Sequence, residues 1–196
     1  MAAHRILLLQ GHPDPAGGHF LHALAGAYAE GAGQADIPVR AIDVARLDFP
    51  VLRTQADWET GTAVPDIQSA QEAIKWCDHM AIFYPLWLGG MPALLKAFLE
   101  QALRPGFAIS SRGDGSQWRR LLAGRSARVV VTMGMPAPVY RWFFMAHSLK
   151  SLERNILALC GIRPVRESLI GMVASNNGAG RARWLARMRE LGREGR

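Results

Sequence analysis

Five short apolar runs punctuate the chain, at residues 6–9, 39–44, 80–84, 128–132 and 169–173, and helical patterns separate them. Phe20, Leu21, Leu24, Ala25 and Tyr28 share one face of a helix after the first run. The second run alternates less cleanly and is bounded by Pro38 and Asp48. Residues 49–62 read as irregular. A helix is expected over 67–76, with Asp66 as its cap after Pro65. Pro92 suits the start of a helix carried on by Ala93, Leu94, Ala97, Phe98 and Leu103. Leu149, Leu152, Ile156 and Leu159 mark another, ended by Gly161, and Trp184, Leu185, Met188 and Leu191 mark the last. Strands alternating with helices imply right-handed crossovers and a parallel sheet covered on both faces. Five strands fit an α/β doubly wound sheet of order 2-1-3-4-5. Ligands then bind beyond the carboxyl ends of the strands, at the loops after strands one, three and four.

Composition narrows the class. A chain of 196 residues with 49% hydrophobic content has material for one core, is expected to form a single domain over 1–196, and is not disordered. The net charge of +7 favours anionic partners in general. Part of the excess sits in the tail, where Arg181, Arg183, Arg187, Arg189, Arg193 and Arg196 outnumber Glu190 and Glu194. That pattern is read as the solvated face of a surface helix. No nucleic-acid recognition motif or aromatic-basic stripe accompanies it, so no nucleic-acid partner is expected. Cys77 and Cys160 form no C-x-x-C pair and are read as buried free thiols. The longest uncharged run, 80–95, is broken by Pro85, Gly89, Gly90 and Pro92, which makes a poor membrane span. The run at 6–9 is too short for an export signal, so a cytoplasmic protein is expected.

The three loops at the switch point carry the candidate chemistry. The first, Gly11-His12-Pro13-Asp14-Pro15-Ala16-Gly17-Gly18-His19, opens a helix whose free amides and dipole favour an anion. It is neither a dinucleotide fingerprint nor a Walker A loop, and an ordinary strand-to-helix turn is the competing reading. The second, Tyr84-Pro85-Leu86-Trp87-Leu88-Gly89-Gly90-Met91-Pro92, is too apolar for a plain exposed connection. It serves either as a wall for a planar ring or as a core loop. The third, Thr132-Met133-Gly134-Met135-Pro136-Ala137-Pro138-Val139-Tyr140, has a glycine that lets backbone approach a ligand, with Tyr140 and His147 as polar candidates nearby. His147 is equally readable as a structural histidine.

At these loops the chain resembles the NAD(P)H:quinone oxidoreductase family of flavodoxin-like fold, which includes modulators of drug activity and ancillary quinone reductases of potassium-efflux systems. The similarity runs from Ile6 to about Val173 and is most specific from Tyr84 through Met91-Pro92-Ala93-Leu94-Leu95-Lys96 to Gly106-Phe107-Ala108. It implies that His12, His19, Phe20 and Leu21 lie at a flavin phosphate. Pro85, Leu86, Trp87 and Leu88 would border the isoalloxazine. Thr132, Met133, Gly134 and Met135 would present backbone to its pyrimidine side. Tyr140 aligns with a family tyrosine near the flavin, and His147 falls close to the family's active-site histidine. His19 stands where serine is common, Met133 and Met135 where Thr and Gly are common, and Ile109 where a pocket tyrosine is frequent.

The implied activity is flavin-dependent hydride transfer from NAD(P)H to flavin N5, then two-electron reduction of a quinone or similar acceptor. FMN is the expected cofactor and FAD the alternative, with no metal. A homodimer is also implied, and the Trp87 loop and Trp142-Phe143-Phe144-Met145 offer apolar surface for it. The competing reading is a regulatory flavoprotein subunit of a transporter or channel.

Overall fold

The computed structural model describes residues 5–111, 118–175 and 178–196. In chain order the elements are β1 (Ile6–Gln10), α1 (Phe20–Gln34), β2 (Val39–Asp43), α2 (Gln55–Glu59), α3 (Pro65–Trp76), β3 (His79–Pro85), α4 (Ala93–Ala102), β4 (Ile109–Ser111), β5 (Trp118–Arg120), β6 (Ser126–Thr132), α5 (His147–Lys150), α6 (Ala158–Cys160), β7 (Val165–Ile170) and α7 (Gly178–Arg193). Five strands form one parallel sheet in the order β2-β1-β3-β6-β7. With the small β4-β5 hairpin set aside, this is the expected order 2-1-3-4-5. The three central strands are buried almost throughout, as continuous apolar runs in a sheet covered on both faces must be. Leu7, Leu9, Met80, Ile82, Val129 and Val131 face the core beneath α3, α4 and the helical segment 147–160, while Ile6, Leu8, Ala81, Phe83 and Val130 face α1 and α7.

α1 and α7 cross at glycines. A Cβ on Gly31 would stand 1.9 Å from the Arg189 carbonyl oxygen, and one on Gly192 would stand 2.0 Å from that of Tyr28. No side chain larger than hydrogen fits there. Met188 and Leu191 are buried at this contact, and Arg189 pairs with Glu30 at 2.7 Å. Part of the basic tail is therefore the outer face of a packed helix.

Four local expectations are corrected. Asp66 does not cap α3: Val64 holds the cap position, and the Asp66 carboxylate accepts the Asp48 N–H at 2.7 Å. The irregular stretch contains α2, opened by a Thr54–Asp57 capping box. In the segment 147–160 the stretch Ser151–Leu157 is π-helical, and the inward residues are Leu149, Leu152, Leu157 and Cys160. The five-residue step from Leu152 to Leu157 is what a wider turn produces, and it leaves Leu159 exposed. Finally, β7 begins at Val165 and ends at Ile170. It is an edge strand with polar alternate positions, so its periodicity is weak in sequence. The apolar residues just beyond it form a loop, with Met172 N–H bonded to Met135 O at 3.1 Å and Val173 N–H to Met133 O at 3.2 Å.

The glycine crossing gives a direct test. Gly31→Ala should lower stability by about 1–3 kcal/mol, the usual result of overpacking. The check is the urea midpoint, with an exposed control in the same helix, Gly26→Ala, at which a Cβ meets nothing within 4 Å.

Candidate cofactor site

β1 ends where the chain passes tightly under β3. Gly11 N–H donates to Phe83 O at 2.7 Å, and a Cβ on Gly11 would meet that oxygen at 2.9 Å, so glycine is required there. The loop beyond is held by its own side chains. His12 N–H donates to Gln10 Oε1 at 3.1 Å, Asp14 N–H to His12 Nδ1 at 3.1 Å, and Ala16 N–H to Asp14 Oδ1 at 2.9 Å. Because Nδ1 of His12 accepts, the proton of the neutral ring sits on Nε2. Gly17 and Gly18 take φ of 73° and 78°, a region closed to most side chains. They deliver the chain to α1, whose cap residue His19 makes no side-chain cap bond. Among the described residues the amides of Gly18, His19, Phe20 and Leu21 therefore have no acceptor. Such a row of free donors at the positive end of a helix is suited to an anion. The His12 and His19 rings stack on each other, centroids 4.0 Å apart, and Asp14 Oδ2 holds His19 Nε2 at 2.7 Å.

The second loop is anchored at its base. Leu86 N–H donates to Thr132 O at 2.8 Å, and Trp87 and Gly90 exchange two bonds of 2.9 Å. Its tip projects outward: Leu88 is fully exposed with φ 45°, and Trp87 is half exposed with its ring edge-on to His12, centroids 6.0 Å apart. In the third loop Met133 is buried and its N–H is taken by Ile170 O at 2.9 Å, so it has no amide to offer a ligand. Gly134 and Met135 keep free amides among the described residues. Gly134 has no unusual φ, and a Cβ there would meet no protein atom within 4 Å. Its glycine leaves open space beside the site and is not demanded by the chain.

These loops enclose a cleft of about 260 Å³ at the carboxyl ends of β1, β3, β6 and β7, lined by His12, His19, Phe20, Leu21, Pro85 and Thr132 together with Val173, Ala174 and Arg181. The first six were expected from the sequence, whereas Leu86, Trp87, Leu88, Met133, Gly134 and Met135 lie outside this lining. Arg181 was missed. It belongs to the tail read as solvated, but α7 brings its guanidinium to 5.3 Å from the Phe20 ring centroid and within 3.3 Å of Val173 O. The sequence holds no signal that would single it out among six tail arginines. A separate cavity of about 470 Å³, lined in part by Arg141, Met145, Lys150 and Val165, lies along the β7 edge, and none of the three loops' glycines borders it.

Tyr140 and His147, expected as donors to the ring, do not line this cleft. Tyr140 is buried in the core, its Oη 2.7 Å from Ser148 Oγ and accepting Leu149 N–H at 3.2 Å. That hydroxyl braces the start of the segment 147–160. His147 is exposed at the first position of α5. Both cysteines are buried, and burial pushes each thiol up to about 11, which leaves no thiolate for nucleophilic chemistry.

Comparison with known proteins agrees with this fold. A family model described as a flavodoxin-like fold matches residues 4–191. An uncharacterized NAD(P)H oxidoreductase of Haemophilus influenzae is 32% identical over 112 residues, 57% of this chain and 54% of the relative. The glutathione-regulated potassium-efflux system ancillary protein KefG of an Enterobacter species is 40% identical over 76 residues, 39% of this chain and 38% of the relative. The chain thus spans about half the length, or less, of these curated relatives. The solved NAD(P)H:quinone oxidoreductase of Methanothermobacter marburgensis has a TM-score of 0.79 at 24% identity, covering 98% of each chain, a likeness of fold.

The Tyr140 contacts generate a second test. Tyr140→Phe should cost about 1–3 kcal/mol of stability, because it strands the buried Leu149 N–H. Chemical denaturation reads that loss, and near-wild-type stability would show that the bond does not brace the segment.

Proposed function

The chain belongs to the flavodoxin-like fold family, and on that premise we propose that it is a single-domain, cytoplasmic, flavin-dependent NAD(P)H oxidoreductase of the quinone-reducing kind, with FMN as its cofactor. The observation that carries this reading is the cleft at the start of α1: Phe20 and Leu21 line it with His12, His19 and Arg181, and among the described residues the amides of Gly18 to Leu21 have no acceptor. Gly134 and Met135, just beyond the lining residue Thr132, carry two further amides without an acceptor among the described residues. That donor set fits a molecule with a phosphate at one end and a planar polar ring at the other. Bound flavin supplies the two-electron chemistry, taking hydride from NAD(P)H and passing two electrons to a quinone or similar acceptor.

The protein's part is to bind, orient and exclude water. The amides of residues 18–21 and Arg181 hold the phosphate, with the Nε2–H of His12 as a further donor. Pro85, Leu86, Trp87 and Leu88 provide the apolar border of the ring. The amides of Gly134 and Met135 donate to its pyrimidine edge, and such bonds strengthen as negative charge develops there, which favours reduction. No side-chain nucleophile is needed, in keeping with two protonated buried thiols.

A homodimer completes the proposal. Trp87 and Leu88 on one loop and Trp142, Phe143, Phe144 and Met145 on another are all exposed large apolar side chains. Leu88, Met145 and Ala146 also hold positive φ, a cost tolerated where surroundings fix the chain. A second copy covering this surface would bring the flavin close to the interface. The KefG similarity favours a second reading, a flavoprotein subunit attached to a transporter, in which turnover is secondary.

The purified protein is expected to be yellow, to release FMN on heating, and to sediment as a dimer. It should reduce a quinone with NAD(P)H at ordinary enzyme rates, whereas the second reading predicts bound flavin with negligible turnover. Gly134→Val should keep stability within about 0.5 kcal/mol yet lose flavin, since it fills only the space beside the free amides. Cys160→Ser should keep flavin and turnover. A colourless protein that binds no added flavin would refute the reading.

A further inference from the structure

Three imidazoles cluster at the start of α1, and two of them, His12 and His19, line the cleft. His12 and His19 stack at 4.0 Å, and the His22 ring lies 5.2 Å from His12 and 5.6 Å from His19. Three positive charges at this spacing would repel one another, and the geometry allots only one. His12 is buried and its Nδ1 already accepts the Asp14 N–H, so a second ring proton would break that bond. Both ring nitrogens of His22 are buried without a partner among the described residues, so charging it would strand a cation. Both rings are held below the usual imidazole range, with burial the leading cause. His19 differs: it is exposed and has a carboxylate, Asp14 Oδ2, at 2.7 Å. The remaining charges that face the cluster are Asp43 at the end of β2 and Arg46 just beyond it, paired with each other at 3.0 Å, and Arg181 from α7.

We infer that His19 is a proton-linked clamp: a phosphate-bearing flavin draws one proton onto the His19 ring, so its affinity climbs as pH falls. This rests on the flavin reading above. A phosphate dianion beside His19 favours the charged ring, while neutral His12 stacks on it and donates from Nε2. The sign follows from linkage. A group whose pKa is raised by the ligand adds affinity that is complete below its free pKa and is lost as pH rises through its bound pKa. Between those limits affinity changes by up to about tenfold per pH unit for one proton. Riboflavin, which has the ring and no phosphate, gains nothing.

The test titrates the flavin-stripped full chain with FMN and with riboflavin between pH 6.5 and 8.5, above the second phosphate ionisation near 6. Calorimetry in two buffers of different ionisation heat reads proton uptake directly. FMN affinity should rise about fivefold or more from pH 8.5 to 6.5 with measurable proton uptake, while riboflavin affinity changes less than about twofold. His19→Gln should still bind FMN at pH 8.5 but with a flat profile. His22→Gln should keep the slope. Tight FMN binding with no slope, or an unchanged slope in His19→Gln, overturns the clamp and leaves the flavin reading standing. Failure of both flavins to bind at any pH defeats that reading and the clamp with it.

Discussion

Parallel pairing of β1 with β3, and of β3 with β6, is the constraint on which the rest depends. Gln10 pairs with Phe83, and Pro85 with Thr132, so the three central strands finish along one edge of the sheet. Parallel strands with helical crossovers cannot close their ladders at that edge by hairpins. Backbone donors emerge there without partners, and the loops that carry them lie side by side. A site for an anionic, planar ligand is therefore a consequence of the sheet.

The loops are fixed by bonds to one another as well as to the sheet. Leu86 N–H reaches Thr132 O, Met133 N–H reaches Ile170 O, and Val173 N–H returns to Met133 O. These bonds consume some amides and leave others, and that selection defines the site. Met133 is spent on the fold, whereas Gly134 and Met135 remain available among the described residues. Apolar residues beyond β7, which look like strand in sequence, serve as part of this brace.

The last helix couples packing to the site. Gly31 and Gly192 let α1 and α7 approach at backbone distance, and that approach carries Arg181 to the cleft that begins at the start of α1. Both the free amides and the arginine thus depend on one helix pair. Charge in the tail is divided by geometry: Arg189 pairs with Glu30 on α1, while Arg181 sits over Phe20.

The sequence alone determined the sheet order and the loops that form the site, because buried parallel strands are written as continuous apolar runs and turns as Gly and Pro. It also supplied six of the residues that line the cleft, through loop composition and family resemblance. Tertiary structure decided what depends on contacts distant in the chain. The Asp66 carboxylate, a plausible cap by position, is used by Asp48 N–H. A π-helical turn put Leu157 and Cys160 on the inward face, left Leu159 exposed and kept Ile156 only partly buried against the core. The Tyr140 hydroxyl went to Ser148 and Leu149, and Arg181 alone among the tail arginines came to line the cleft. Local pattern records which residues must be buried or must turn. It does not record which partner a polar group will meet, because that is settled only when separate segments pack.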